Sequence, residues 1–375
     1  MRIAIEAQRI FRSHKHGMDF VVLEILKVLQ REDTLNEYFV MVAPGEDKCL
    51  ESSNNFHVIE FGSTFYPLWE QIQLPLKLRT ISPDILHCTS NTAPIIKCAT
   101  NLVTTIHDVI YLEKQSEANK SWYQRFGRIY RRLVVPRIAK YSETIITVSK
   151  FEKKRIAHSF PLKNNSIEVI YNGYGEHFRV YDEWEKVVKK YSDAQNYFLF
   201  LGNTDPKKNV ETTLIAYHKY LQTSTFKQKL LIADLKNNEF ERIIKTNNIE
   251  AIREYVHLIG YVPNNDLPYL YNGASIFLYT SKRESFGIPI LEAMACGTPV
   301  VTGMVSAMPE IAGESCETLV DTFNSDSIAN KLIELEENSE FYSKQVDYGK
   351  ERAKKFSWEK STLQILDLYQ NLYSH

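Results

Sequence analysis

Glu284 and Glu292, with seven residues between them, are the side chains best spaced for chemistry in this chain. They fall in the run S-K-R-E-S-F-G-I-P-I-L-E-A-M-A-C-G-T-P, residues 281–299. Gly287 and Pro289 mark a join between a loop and a helix. Proline in the first turn forfeits no hydrogen bond, and Cys296-Gly297 suits the far end. Glu284 is therefore expected in the loop and Glu292 on the helix. A helix N-terminus offers free N–H groups and a positive dipole end, which attract phosphate. Carboxylates accept paired hydrogen bonds from vicinal hydroxyls. One carboxylate just before a phosphate site and another a turn inside it suit a ligand that carries sugar, diphosphate and ribose in a row.

Two further stretches could serve the same ligand. Phe200-Leu-Gly-Asn-Thr-Asp-Pro-Lys-Lys-Asn209 follows a strand and opens a helix, which makes a second anion site. There Lys208 would bring a point charge to a diphosphate as negative charge builds on a leaving nucleotide. The bland reading of this turn is a solvated loop with two lysines. His107, in Thr105-Ile-His-Asp-Val109, ends a strand, where it could donate to a sugar hydroxyl or a developing oxyanion. Asp108 beside it reads as a loop-orienting residue, and Ser149 as a helix N-cap. No D-x-D, C-x-x-C or G-x-G-x-x-G occurs, so neither a bridging divalent ion, a zinc site nor a dinucleotide fingerprint is expected.

The elements that must hold these residues are short β-branched and aromatic runs alternating with helical patterns, which signals parallel sheets with crossover helices. The first series is 3–5, 38–42, 57–61, 85–87, 102–106, 144–148 and 167–170. The second is 197–201, 230–233, 256–259, 276–279 and 299–302. The polar stretch 181–196 shows no strand and is expected to be the linker. The expected division is residues 1–185, 186–357 and a final helix over 358–375.

Between Lys120 and Lys140 there are seven basic residues and no acid, with Trp122, Phe126, Ile129 and Leu133 at helical spacing. Two readings stand. The helix packs that apolar stripe into the core and solvates its arginines, or it presents a basic patch to an anionic membrane or to a lipid diphosphate.

Composition bounds the rest. At 375 residues the chain suits two domains, and a net charge of −1 gives no field that would favour nucleic acid. No apolar run is long enough to span a bilayer, and the N-terminus reads as a strand rather than a signal peptide. The five scattered cysteines suit a reducing cytoplasm.

The run from Glu284 to Val301 resembles the E-x7-E signature of retaining glycosyltransferases of the GT-B fold, in particular family 4. The resemblance implies an α/β chain of two Rossmann-like parallel-sheet domains facing a central cleft, the first on the acceptor side and the second holding the donor. It implies that Glu284, with Ser285, Phe286, Gly287 and Ile288, meets the donor sugar and phosphates, and that Glu292 binds the ribose. The 202–209 turn resembles the family's G-x-x-x-P-R-K-N segment. That assigns Gly202, Asn203, Lys207 and Lys208 to the diphosphate, with Lys207 where arginine is usual and Asn203 where some members carry a second arginine. His107 resembles the histidine of the family's H-D motif. Gly17 falls where members place glycine so that backbone can approach the phosphates, and a plain helix start also accounts for it. Tyr261 and Val262 resemble the segment beside the base, without deciding between guanine and uracil. The loop Val301–Glu310 resembles one that helps line the pocket.

The expected activity is retaining, metal-independent transfer of a hexosyl group of mannosyl or glucosyl type. The donor would be a nucleoside-diphosphate sugar, and the acceptor a glycan or lipid-linked hydroxyl in surface polysaccharide synthesis. The expected location is the cytoplasm, peripheral on the inner face of the membrane. Rival readings are a glycoside hydrolase using the two glutamates, which would need no phosphate site, an epimerase of the same fold, and a catalytically silent sugar-nucleotide-binding subunit.

Overall fold

The computed structural model describes residues 1–98, 101–113, 122–160, 162 and 166–374, with the side chains of 122–124 excepted. Contacts divide it into two compact units, Met1–Gly173 with Trp358–His375, and Tyr174–Ser357.

Each unit is built on a parallel sheet, as the alternating pattern predicts. In the first unit β1 Arg2–Glu6, β2 Glu37–Val42, β3 Phe56–Glu60, β4 Ile85–Cys88, β5 Asn101–Thr105, β6 Thr144–Thr147 and β7 Ser166–Val169 assemble in the order β3-β2-β1-β4-β5-β6-β7. In the second, β8 Tyr197–Leu201, β9 Lys229–Ala233, β10 Val256–Gly260, β11 Ala274–Tyr279, β12 Val300–Gly303 and β13 Leu319–Val320 assemble in the order β10-β9-β8-β11-β12-β13. The strands are apolar on both faces because helices cover both. Phe198 and Phe200, for instance, are fully or nearly fully buried and pack with Tyr217 and Tyr220 of the helix Val210–Thr223.

This order fixes where a ligand can bind. Strand sequence reverses between β1 and β4 in the first sheet and between β8 and β11 in the second. Loops leaving the carboxyl ends of such neighbouring strands diverge to opposite faces and open a crevice. Those loops carry Gly202–Asn209 after β8 and Thr280–Gly287 after β11.

Two expectations change. The first unit ends at Gly173 rather than at 185. Residues after it are already fastened to the second unit: Tyr181 donates its N–H to Asn272 Oδ1 at 2.8 Å, and its ring lies 4.9 Å from that of Tyr269. The expected linker itself contains the helical turn Glu185–Val188, and Tyr191 donates to Asp266 at 2.7 Å. The final helix Trp358–Tyr373 packs on the first unit, with Ile365 and Tyr369 buried in its core.

The second change concerns the basic helix Trp122–Ile138. Its Phe126, Ile129 and Leu133 are 39%, 58% and 54% exposed, so this stripe is not core. Val134, Val135 and Ile138 are buried instead, and Arg128 and Arg132 turn inward to the carbonyl of Tyr111 at 2.9 and 3.2 Å. Lys120 lies outside the described residues.

Candidate functional site

Four loops of the second unit are bolted together around Lys208. Asn209, at φ 59° between the turn Pro206–Lys208 and the next helix, donates its amide to the carbonyls of Thr280 at 3.0 Å and Thr322 at 2.7 Å. Thr213 and Thr280 share a hydroxyl hydrogen bond of 2.6 Å. The Lys282 N–H donates to the Lys207 carbonyl at 2.7 Å. The β12 loop joins through Ser306, whose hydroxyl accepts from the Glu284 N–H at 3.0 Å. These bonds hold the backbone on either side of Lys208 and Glu284, so little ordering is left for a ligand to induce.

Within that frame the Lys208 ammonium donates to Glu284 Oε1 at 2.9 Å and lies 5.0 Å from the centre of the Tyr279 ring. The two side chains are only 17% and 12% exposed. Burial pushes the Glu284 carboxyl up, but the charges of Lys208 and then Lys207 outweigh it, and the group is held below the usual carboxylate range. Glu284 is thus a fixed anion beside a fixed cation. A carboxylate in that state accepts hydroxyl hydrogen bonds, and the ammonium's remaining N–H groups can meet phosphate oxygens.

The helix Ile288–Ala295 begins as expected at Gly287, whose φ of 109° is costly for any residue with a Cβ. Pro289 occupies its first turn and Ile290 bonds back to the Gly287 carbonyl at 3.0 Å. Glu292 follows on the helix and is partly exposed. Loss of water around it nevertheless raises its pKa to about 7, which the Tyr271 hydroxyl, donating at 3.2 Å, lowers only in part.

The remaining predicted residues divide by role. Asn203 caps its own turn, accepting the Asp205 N–H at 2.9 Å, and Gly202 lies where an added Cβ would come within 2.9 Å of the Phe200 ring. Ser285 and Ile288 are partly exposed beside Glu284 and Gly287. Phe286 is buried against Phe356, so its side chain supports the loop. Tyr261 is 76% exposed and free to stack on a base, whereas Val262 is buried and can contribute only backbone. Ser306 falls in the loop Val301–Glu310 expected to help line the pocket, whereas Tyr271 and Tyr279 were not legible as site residues, because nothing in their local sequence reports what they face.

In the first unit His107 is buried at the carboxyl end of β5. Its Nε2–H donates to the Thr89 carbonyl at 2.9 Å, and its own N–H is held by Asn91 Oδ1 at 2.6 Å. Burial lowers its pKa, so the ring is neutral and the Nδ1 lone pair is its acceptor. As placed, His107 can accept a hydroxyl hydrogen bond, whereas the sequence reading had it donate. Asp108 accepts from the Ile110 N–H at 3.0 Å, the loop-orienting role expected. Gly17 opens the helix Gly17–Glu32, and an added Cβ would meet no atom within 4 Å, so the fold itself makes no demand for glycine.

Two buried carboxylates that the sequence did not advertise lie in the same unit, Glu6 at the end of β1 and Glu70 on a helix. Glu6 accepts the N–H groups of Gln8 at 3.0 Å and Thr89 at 3.2 Å. Glu70, on a widened π turn of the helical segment 66–81, accepts from the hydroxyls of Thr92 and Tyr66, each at 2.5 Å, and of Tyr130. Burial raises its pKa to about 7 against the pull of those hydrogen bonds.

Known proteins match both units. The family described as Glycosyltransferase Family 4 matches residues 16–175, and that described as Glycosyl transferases group 1 matches residues 182–352. O-antigen chain mannosyltransferase B of Escherichia coli is 31% identical over 62% of this chain and 61% of its own length, so the chain spans under two thirds of that relative. Sucrose-phosphate synthase of Thermosynechococcus elongatus has the same fold, with a TM-score of 0.77 and 18% identity over 100% of this chain and 99% of that one. So does Anabaena HepE, solved with UDP, with a TM-score of 0.72 and 17% identity over 99% and 100% of the two chains.

Proposed function

Because this chain belongs to the group 1, family 4 glycosyltransferases and has their GT-B fold, we propose that it moves a hexosyl group from a nucleoside-diphosphate sugar to a hydroxyl of a glycan or lipid-linked acceptor. The observation that carries this reading is the Lys208–Glu284 pair, framed by four loops at the switch point of the second sheet.

In this reading Lys208 and the N-terminus of the helix Ile288–Ala295 take the diphosphate and stabilise it as the leaving group. No metal is called on for that role. Glu284, kept ionised by Lys208, holds the sugar hydroxyls, and Glu292 takes the ribose. The neutral His107 accepts from a donor or acceptor hydroxyl. Departure and attack on one face of the sugar would retain configuration, the course implied by the resemblance to retaining enzymes. The mannosyltransferase among its relatives supports mannose as the first sugar to try, and O-antigen-like polysaccharide synthesis as the setting.

The test is release of GDP from GDP-mannose and of UDP from UDP-glucose in EDTA, with lipid-linked oligosaccharide extracts as acceptor. Acceptor-dependent release from one donor, abolished in Glu284→Gln, is the expected result. No release from either, with tight nucleotide binding, would instead identify a silent sugar-nucleotide-binding subunit.

A further inference from the structure

The histidine at the carboxyl end of β5 is held by more than its own two hydrogen bonds. His107 and His87 both line one cavity of the first unit, with Thr89, Thr105 and apolar side chains such as Val22 and Leu26. A side chain that faces empty space lacks the contacts that would fix it there. On that side packing does not set the orientation of either ring, and the task falls to hydrogen bonds.

Those bonds form a circuit through His87. On β4, His87 stands two residues before Thr89, whose carbonyl accepts the His107 Nε2–H at 2.9 Å. The Nε2 of His87 lies 2.7 Å from the Thr105 hydroxyl on β5. The Thr105 carbonyl accepts the Asn91 N–H at 3.0 Å, and Asn91 Oδ1 accepts the His107 N–H at 2.6 Å. Asn91 stands at φ 68°, in the left-handed region that asparagine tolerates better than most residues. His87 is thus joined to the ring of His107 through Thr89, and to its backbone through Thr105 and Asn91.

The last link comes from the far end of the chain. Tyr369, on the helix Trp358–Tyr373, is fully buried, and its hydroxyl lies 2.5 Å from His87 Nδ1. The two rings meet edge to face at 5.8 Å. Packing alone asks for no hydroxyl there: Ile365, one turn earlier on the same helix, fills the same core with an apolar side chain. Burial pushes the pKa of His87 down to about 3, so its ring stays neutral near pH 7, with one nitrogen donating and the other accepting. A satisfied network of neutral polar groups in the interior fixes one arrangement of its members.

We propose that His87 and Tyr369 are positioning residues. They hold Thr89, Thr105 and Asn91 so that His107 keeps its Nε2–H inward and its Nδ1 lone pair available to a substrate hydroxyl. The terminal helix is then part of the site as well as of the core. This rests on the role given to His107 in the transfer reaction, and the test separates the two.

The experiment uses the full chain. Tyr369→Phe and Thr105→Val each delete one hydroxyl and nearly keep the shape of the side chain. Ile365→Val loosens the same helix without touching the circuit. The readouts are melting curves, the side-chain nitrogen NMR signals of His107, assigned as those lost in His107→Ala, and kcat and KM for whichever of GDP-mannose and UDP-glucose is turned over. Each hydroxyl deletion should lower kcat by about tenfold to a hundredfold with KM within about twofold of wild type. Each should also shift or split the His107 signals, whereas Ile365→Val should change neither kcat nor the signals. Wild-type His107 signals in both hydroxyl deletions would overturn the proposal. So would a lower melting temperature with kcat unchanged, or an equal fall of kcat in Ile365→Val. Full activity in His107→Ala would instead sink the role of His107 in transfer, and the NMR signals alone would then decide whether His87 and Tyr369 hold its ring.

Discussion

Replacing Lys208 by methionine should destabilise the protein at neutral pH, and most of that loss should vanish in acid. The substitution removes the ammonium 2.9 Å from Glu284 Oε1 and 5.0 Å from the centre of the Tyr279 ring, and keeps most of the stem. Exposed ion pairs contribute at most about 1 kcal/mol, whereas breaking a fully buried one costs about 3–5 kcal/mol. With side chains 17% and 12% exposed, this pair falls between those limits, near 2 kcal/mol. The cation–π contact adds about 0.5–1 kcal/mol. Glu284 is held below its ordinary pKa, so its contribution is present above the unfolded value of 4.5 and fades as pH falls through the folded one. Urea unfolding should therefore show a loss of about 2–3 kcal/mol at pH 7, shrinking toward the cation–π part in acid, once the pH has fallen through the lowered folded pKa of Glu284. Adding Glu284→Gln should recover part of the loss at pH 7, because it removes the stranded carboxylate. Equal losses at both pH values, or a double variant as unstable as the sum of the singles, would refute the claim that an ion pair organises this site.

Three further outcomes follow from the geometry. Glu292 has its folded pKa raised to about 7, so wild-type stability should fall as pH climbs from about 4.5 toward 7 and then level off. Glu292→Gln should lessen that fall, the rest coming from Glu70, which titrates in the same window, and should give a larger gain in melting temperature at pH 8 than at pH 5. Gly287→Ala should cost about 1–2 kcal/mol in thermal unfolding, because alanine is strained at φ 109°, and should weaken nucleotide binding as the helix start shifts. Glu70→Ala strands the hydroxyls of Thr92, Tyr66 and Tyr130 and should cost about 3–5 kcal/mol in urea unfolding, with Glu70→Gln costing clearly less.

Much of the fold was legible because parallel strands buried on both faces write themselves as continuous β-branched and aromatic runs. All twelve expected runs are strands, and only the two-residue β13, Leu319–Val320, is too short to leave a pattern. The Pro289 helix start was legible because proline and glycine at fixed offsets constrain backbone directly, whereas the ion pair of Lys208 with Glu284 was not, because the two lie on loops that follow different strands. The domain boundary was not: Phe178 and Tyr181 belong to the second unit through contacts with Tyr271 and Tyr269, far along the chain, and no local signal reports them. The basic helix misled for a related reason. Periodicity finds an apolar stripe but cannot say which of two apolar faces turns inward, and here Val134 and Ile138 took the core while Ile129 and Leu133 did not. Glu6, Glu70 and His87 are buried polar groups whose partners lie on other elements, so they read as ordinary surface residues until the sheet is assembled.

The most direct test of the account is calorimetric titration of GDP, UDP and ADP into wild type and Lys208→Ala with EDTA present. One nucleotide should bind without metal, and Lys208→Ala should weaken it by about tenfold to a hundredfold, the value of a charge-assisted contact to phosphate. Failure of all three to bind would contradict a donor site at Lys208 and Glu284.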